Sequence, residues 1–365
     1  MGGPMKLEKR TWLTGCADDG HPTLKLNEVQ GKERARYLER LQTGVYVEER
    51  RESCPLCGWG EGFLIAEKDR YGLPLRTVVC GSCGFVFTQN PLNQPSAIRF
   101  YSEQYRRLYD GADMDDAAWE KVVDEYFRTR RSAADAMADT IPLLRNREMR
   151  SLRIVEIGSG AGWNLAGFKE RGASVCGYDP DENCVKAAAK RGLEVRLGLV
   201  EEALRQEEQA DVVIMNHMLE HVLDPVDVLA KCKQLLKPQG CLFVAVPGLA
   251  SFLFGHWGGG FKGQLQNAHL SIWDETTFRA TAARAGLSVR FYNDLIWCVL
   301  EAAPVSSFQM PASRGRKVLR FLAVLRVAEF MWRGLASVSG GGSSKIYGQV
   351  SRIASALGRR MGLLQ

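Results

Sequence analysis

No stretch of this 365-residue chain approaches the run of about 18 apolar residues that a membrane span requires. The opening MGGPMKLEKRTWLTG lacks the apolar core of a secretory signal, and Lys6 stands where a myristoylation motif needs Ser or Thr. A cytoplasmic protein is expected. A large excess of one charge is missing as well, since 48 basic and 42 acidic residues leave +6. That charge is unevenly placed. Residues 311–365 carry ten Lys or Arg against the single acid Glu329, a net +9, so the rest of the chain is −3. A general nucleic-acid-binding surface would spread basic charge over a domain, and this distribution argues against one. Hydrophobic residues at 45% and charged residues at 25% exclude a disordered or fibrous chain. The length suggests roughly two or three units.

The cysteines lack the arrangement of a disulfide scaffold. Six of them, Cys16, Cys176, Cys184, Cys232, Cys241 and Cys298, are scattered, several in apolar runs where a thiol behaves as a small hydrophobe. A reducing compartment fits this usage. The other four are ordered: CPLCG and CGSCG place thiols at Cys54, Cys57, Cys80 and Cys83. Each pair is followed by glycine, Gly58 or Gly84, suited to a tight turn that aims backbone amides at sulfur. Four soft anionic ligands favour zinc over magnesium or calcium. A metal held by four protein ligands has no position for water, so the zinc is expected to be structural. Between the pairs, FLIAEKDRYGLPLRTVV reads as strand, a Gly72 to Pro74 turn, and strand. Pro91 and Pro95 close this module, and a helix carrying Phe100, Tyr101 and Tyr105 follows. Val122, Tyr126, Ala133, Met137 and Ile141 then recur at helical spacing.

From residue 151 short apolar runs alternate with helical ones: LRIVEIG, SVCGYD, LEVRLGLV, ADVVIMN and CLFVAVPG. Such alternation implies βαβ crossovers and an α/β fold with a Rossmann-like, mostly parallel sheet, which binds ligands at its C-terminal strand ends. The first strand ends in Glu156, Gly158, Ser159, Gly160 and Gly162. A dinucleotide fingerprint needs a third glycine at position 163, where this chain has Trp163. Asp179, at the end of the second strand and followed by Pro180, is placed to accept both hydroxyls of an adenosine ribose. The same residue also suits a helix N-cap.

Through VEIGSGAGWN, YDPDENCVKAA and ADVVIMNHMLEHVLDPVDVLAKCKQLLKPQGCLFVAVPG, residues 151 to 300 resemble the class I S-adenosylmethionine-dependent methyltransferases. The resemblance implies that Gly158, Gly160 and Gly162 hold the methionine part of S-adenosyl-L-methionine. Asp179 would then hold the ribose, while Asn216 and Met218 lie near the sulfonium. For the adenine amino group it offers Glu201 or Glu202. A cysteine-rich zinc module, FYSEQYR and this domain, in that order, resemble the sugar C-methyltransferases of deoxysugar and polysaccharide pathways. That family has a glutamate and a catalytic histidine after the fifth strand. NAHLSIWDETTF supplies His269 there, with Ala268 in place of the glutamate.

Methyl transfer needs an aligned nucleophile and a base to remove its proton. His269 is the first candidate and His221 the second, while Glu220 can orient a base, bind a substrate hydroxyl or cap the next helix. Tyr101 and Tyr105 are assigned to the acceptor. The glycine- and aromatic-rich GLASFLFGHWGGGFKGQLQN reads as a lid carrying Phe254 and Trp257, or as a surface insertion. VLRFLAVLRVAEFMWRGLA suits an anionic membrane surface, packing on the domain, or a second subunit. The expected units are an N-terminal extension (1–45), a zinc-ribbon module (46–95), a helical linker (96–150), the methyltransferase domain (151–310) and a basic helical tail (311–365). The expected acceptor is a sugar or nucleotide sugar. The alternatives are an RNA methyltransferase gripping nucleic acid through its zinc module, although NHMLEH lacks the Asn/Asp-Pro-Pro-aromatic motif of nucleobase methylation, and a non-catalytic S-adenosylmethionine-binding protein.

Overall fold

The computed structural model describes residues 4–10, 17–113, 116–130, 133–206, 209–249, 263, 265–293, 297–306, 310–311, 313–325 and 359–360. The lid assignments Phe254 and Trp257, and the tail beyond 325 apart from 359–360, lie outside the described residues.

The first sheet is built from β1 (Lys6–Lys9), β2 (Glu61–Lys68), β3 (Pro74–Cys80) and β4 (Val86–Thr88). β1 runs parallel to β2, and β2, β3 and β4 form an antiparallel meander. The turn between β2 and β3 is tied by Asp69, whose Oδ1 accepts from the amides of Tyr71 and Leu73, both at 2.8 Å. Ahead of the module, Glu28–Gln42 forms a helix begun by a capping box between Asn27 and Gln30. After the module, Gln94–Phe100 continues through a π-helical turn, Tyr101–Tyr105, into Arg106–Asp110, so the tyrosines sit on a widened, underwound segment of helix.

The second sheet holds β5 (Arg153–Ile157), β6 (Ser174–Asp179), β7 (Val195–Leu197), β8 (Ala210–Asn216) and β9 (Leu236–Ala245). Their spatial order, β9-β8-β5-β6-β7, is parallel throughout. Both faces are covered, as the unbroken apolar runs require. Val155, Ile157, Val213 and Met215 point to one core, Ile154, Val212 and Ile214 to the other. The strand order reverses between β5 and β8, which opens a crevice at their C-terminal ends.

After β9 the chain leaves this sheet. β10 (Ser271–Ile272) pairs antiparallel with β4 of the first sheet, and the chain then returns as β11 (Leu287–Tyr292) and β12 (Trp297–Ala302), which extend the β9 edge antiparallel. The two sheets share a core: Cys54, Leu56, Phe85 and Phe87 pack in one cluster with Trp273, Phe278, Val244 and Leu300. Residues 314–325 are helical and bury Val318, Phe321, Leu322 and Leu325 against Ile65, Val79, Val86 and Ile272. Buried Arg314 pairs with buried Asp274. Packing is continuous across residues 95 and 310, because β10 and the 314–325 helix lie against the first sheet. Of the uses open to the tail, its first three turns pack on the protein. Among the described residues no helix is long and apolar enough to cross a membrane.

Candidate functional site

The two knuckles bring four sulfurs together. Cys54 Sγ lies 3.7 Å from Cys83 Sγ and Cys57 Sγ 3.5 Å from Cys80 Sγ, and all four are within 4.8 Å of one another. A disulfide would require about 2.05 Å. A tetrahedron with zinc–sulfur bonds of about 2.3 Å has edges near 3.8 Å, which these separations match. Gly58 and Gly84 donate to the carbonyls of Cys54 and Cys80, closing each turn, and the turns aim the backbone amides of Trp59 and Cys83 at the sulfurs of Cys57 and Cys80.

At the switch point β5 runs into the glycine loop. Gly158 and Gly160 have φ of +71° and +56°. A Cβ on Gly160 would come within 2.2 Å of the Trp163 ring, and one on Gly158 within 2.6 Å of Met218 Cγ. Position 163 thus closes the loop from inside with an indole. Asp179 accepts from the Gly160 amide at 2.8 Å and from the Asp181 amide at 3.0 Å. It does not cap the next helix. Asp181 does, accepting from Asn183 N at 2.9 Å ahead of Glu182–Lys190. Each Asp179 oxygen keeps a lone pair, and burial raises its pKa.

A cavity of about 600 Å³ opens over this crevice. Gly158, Asp179, Pro180, Asn216 and Met218 line one part, with Glu201 beside them. Glu202 does not reach it. Tyr101, Tyr105, Glu220, His221 and His269 line another part. Glu156, Ser159, Gly160 and Gly162 lie behind the wall, where they shape the loop and do not face the cavity. Of the loop glycines only Gly158 lines the cavity.

Glu220 is the centre of the second region. Its side chain is fully buried, and neither carboxylate oxygen has a hydrogen-bond partner. Around Oε1 stand His217 Nδ1 at 3.4 Å, His221 Nε2 at 3.8 Å and His269 Nε2 at 3.9 Å. Glu220 caps nothing, because Asp224 takes the amides of Val226 and Asp227 and starts the helix Pro225–Gln234. LEHV is a single 3-10 turn, Leu219–His221, and not the start of that helix. His221 Nδ1 lies 3.0 Å from the Ala268 carbonyl oxygen and 3.1 Å from Tyr101 Oη. A carbonyl can only accept, so Nδ1 carries the proton and Nε2 keeps its lone pair. Burial lowers the His221 pKa, which favours that neutral form. Glu220, although distant in sequence, stands beside His269 where the local glutamate is replaced by Ala268. The Leu270 amide donates to the Glu220 carbonyl at 2.7 Å and the Thr88 amide to the Leu270 carbonyl at 3.0 Å, tying this cluster to the first sheet.

Several lining residues carry no motif. Arg70 stacks on Tyr71 and Tyr109 at 4.8 and 5.2 Å and donates to Gln266 Oε1 at 3.2 Å. Gln266 Nε2 in turn contacts His269 Nε2. Arg106 sits over the rings of Tyr105, Tyr126 and Trp163 at 5.5 to 5.9 Å. Its only sequence signal is the alternation of arginine and tyrosine in YRRLY.

Residues 126–290 match the family model described as a methyltransferase domain. The ubiquinone biosynthesis O-methyltransferase of Maricaulis maris is 34% identical over 127 residues, 33% of this chain and 50% of that protein. The enzyme of the same name from Bordetella bronchiseptica is 34% identical over 148 residues, 37% of this chain and 61% of that protein. The chain spans about half the length of the curated relatives it matches. Among solved structures, Streptomyces venezuelae DesVI aligns with a TM-score of 0.41 at 14% identity, over 52% of this chain and 100% of that one.

Proposed function

We propose that the protein, whose residues 126–290 match a methyltransferase-domain family model, is a class I S-adenosylmethionine-dependent methyltransferase that methylates a small ring-bearing acceptor, a sugar or nucleotide sugar, with a histidine as base. One observation carries the proposal: a single cavity holds Gly158 and Asp179 in one part and Glu220, His221 and His269, with Tyr101 and Tyr105, in another. S-adenosyl-L-methionine, when bound, supplies a methyl group on an activated sulfonium. Gly158 gives it close approach to backbone, and the remaining Asp179 lone pairs suit ribose hydroxyls. His221 Nε2 receives the acceptor proton, its orientation fixed by Nδ1–H on the Ala268 carbonyl. The Glu220 carboxylate at 3.8 Å stabilises the imidazolium that results. His269 is the second base at the same carboxylate. Tyr101 and Tyr105 offer ring faces to the acceptor. Cys54, Cys57, Cys80 and Cys83 hold a structural zinc that fixes the sheet to which β10 belongs.

A phenol-like ring hydroxyl is the second reading, favoured by the relatives named as ubiquinone biosynthesis O-methyltransferases. Labelled-methyl transfer screened against nucleotide sugars and dihydroxybenzenes separates the two. His221→Ala and His269→Ala are each expected to lower kcat by about 10²- to 10⁴-fold, with cofactor affinity retained. Unchanged turnover in both variants on every accepted acceptor would remove the base assignment. A salt-dependent RNA shift would turn the acceptor class toward nucleic acid.

A further inference from the structure

We propose that Glu220, His221 and His269 also form a binding site for a divalent first-row transition-metal ion at the acceptor end of the cavity. The inference deepens the methyl-transfer reading and rests on it only for what the ion does. The three residues each offer one ligand atom, and these atoms lie within 4.8 Å of one another. Glu220 supplies the independent observation. It is fully buried, aimed into the cavity, and both its oxygens lack a hydrogen-bond donor. A buried carboxylate without donors is unfavourable unless a cation compensates it. The positions around Oε1 are held by imidazoles at 3.4 to 3.9 Å, too far for hydrogen bonds and arranged around a common centre.

The ring orientations agree with ligation. A ligating imidazole commonly donates its other N–H to a backbone carbonyl, and His221 Nδ1 does so to Ala268, which presents Nε2 toward Glu220. Two imidazoles and one carboxylate with open positions suit iron, cobalt, nickel or zinc, not calcium, which takes six to eight oxygens. The donor set also differs in softness from the four thiolates of the knuckles, so the two sites select differently. Gln266 Nε2 contacts His269 Nε2, and the ion would displace that amide. The open positions face the cavity and would take acceptor oxygen, favouring acceptors with adjacent oxygen donors such as a vicinal diol or a hydroxyketone. Coordination lowers the pKa of a bound hydroxyl, which in the ion-bound form would replace the histidine base, since both imidazole lone pairs are then given to the ion.

The test uses the full chain with its cysteine site already loaded, titrated with Co(II). A second equivalent is expected to give weak ligand-field bands without thiolate charge transfer. Glu220→Gln and His269→Ala should each weaken that second binding by at least about 10- to 100-fold, the scale seen on losing even an outer-shell partner. The cysteine-site spectrum should persist in both variants and reports that they are folded. A wild-type chain that takes up a single ion, or a second ion bound equally by both variants, overturns the site. The readouts separate the two proposals: labelled-methyl transfer in a wild-type chain with no second ion leaves the methyltransferase reading standing without the metal. A bound second ion without methyl transfer to any acceptor does the reverse.

Discussion

Glu156 gives a direct test of the glycine-loop architecture. Its carboxyl is fully buried behind the loop, and burial pushes its pKa up from 4.5 to about 8. Oε1 accepts from Asn164 Nδ2 at 2.7 Å, while Glu156 Oε2 and Asn164 Oδ1 are both buried without partners. One proton on Oε2 turns it into a donor for Asn164 Oδ1 and satisfies both atoms as an acid–amide pair. Glutamine presents the same donor and acceptor without a charge. The folded carboxyl binds its proton more tightly than the unfolded one, so stability is unaffected by ionisation below about pH 4.5 and falls as pH rises toward 8. At about 1.4 kcal/mol per pH unit, the rise from 4.5 to about 8 sets a ceiling near 5 kcal/mol. Water reaching the loop relieves part of this, so the expected loss is roughly 2 to 5 kcal/mol. Urea unfolding of wild type and Glu156→Gln at pH 5, 7 and 9 isolates the effect, because other titrating groups cancel in the difference. The variant should match wild type at pH 5 and exceed it at pH 9. A difference that moves by less than about 0.5 kcal/mol over that range refutes the acid–amide pair.

Gly160→Ala places a Cβ against the Trp163 ring at a φ of +56°, and cofactor affinity by calorimetry should fall by about tenfold or more from strain of about 1–3 kcal/mol in the loop. Cys80→Ser, or zinc removal by a chelator, should release the metal and lower both melting temperature and methyl transfer together. The reason is that the knuckle sheet includes β10, which begins two residues after His269. Phe321→Ala empties a fully buried position on the first sheet and should cost about 3–5 kcal/mol in denaturant unfolding, while the same change at Trp257 tests the lid assignment through acceptor KM. Tyr101→Phe removes the hydroxyl 3.1 Å from His221 Nδ1. A kcat decrease of no more than about tenfold is expected, because the Ala268 carbonyl still fixes the tautomer.

The parts whose signals are local could be read from the chain directly. The alternation of apolar runs and helices specified β5 to β9 as a parallel sheet, the glycine loop and Asp179 fell at its strand ends, and the doubled CxxC spacing specified four converging thiols. Those patterns are written at periods of two to four residues or in fixed short spacings, so no distant partner is needed to read them. The rest came from contacts between distant segments. Asp181 and not Asp179 takes the cap because Asp179 is drawn to the Gly160 amide 19 residues away. The two residues of β10 pair with β4, with Ser271 opposite Phe87 across 184 positions, and so tie the chain after β9 to the first sheet. Glu220 meets His269 across 49 positions, and Arg70 reaches Gln266 across 196. Contacts of that separation leave no periodic trace in the chain, since each is set by how sheets and helices stack, and the chemistry at the acceptor end of the cavity is made from them.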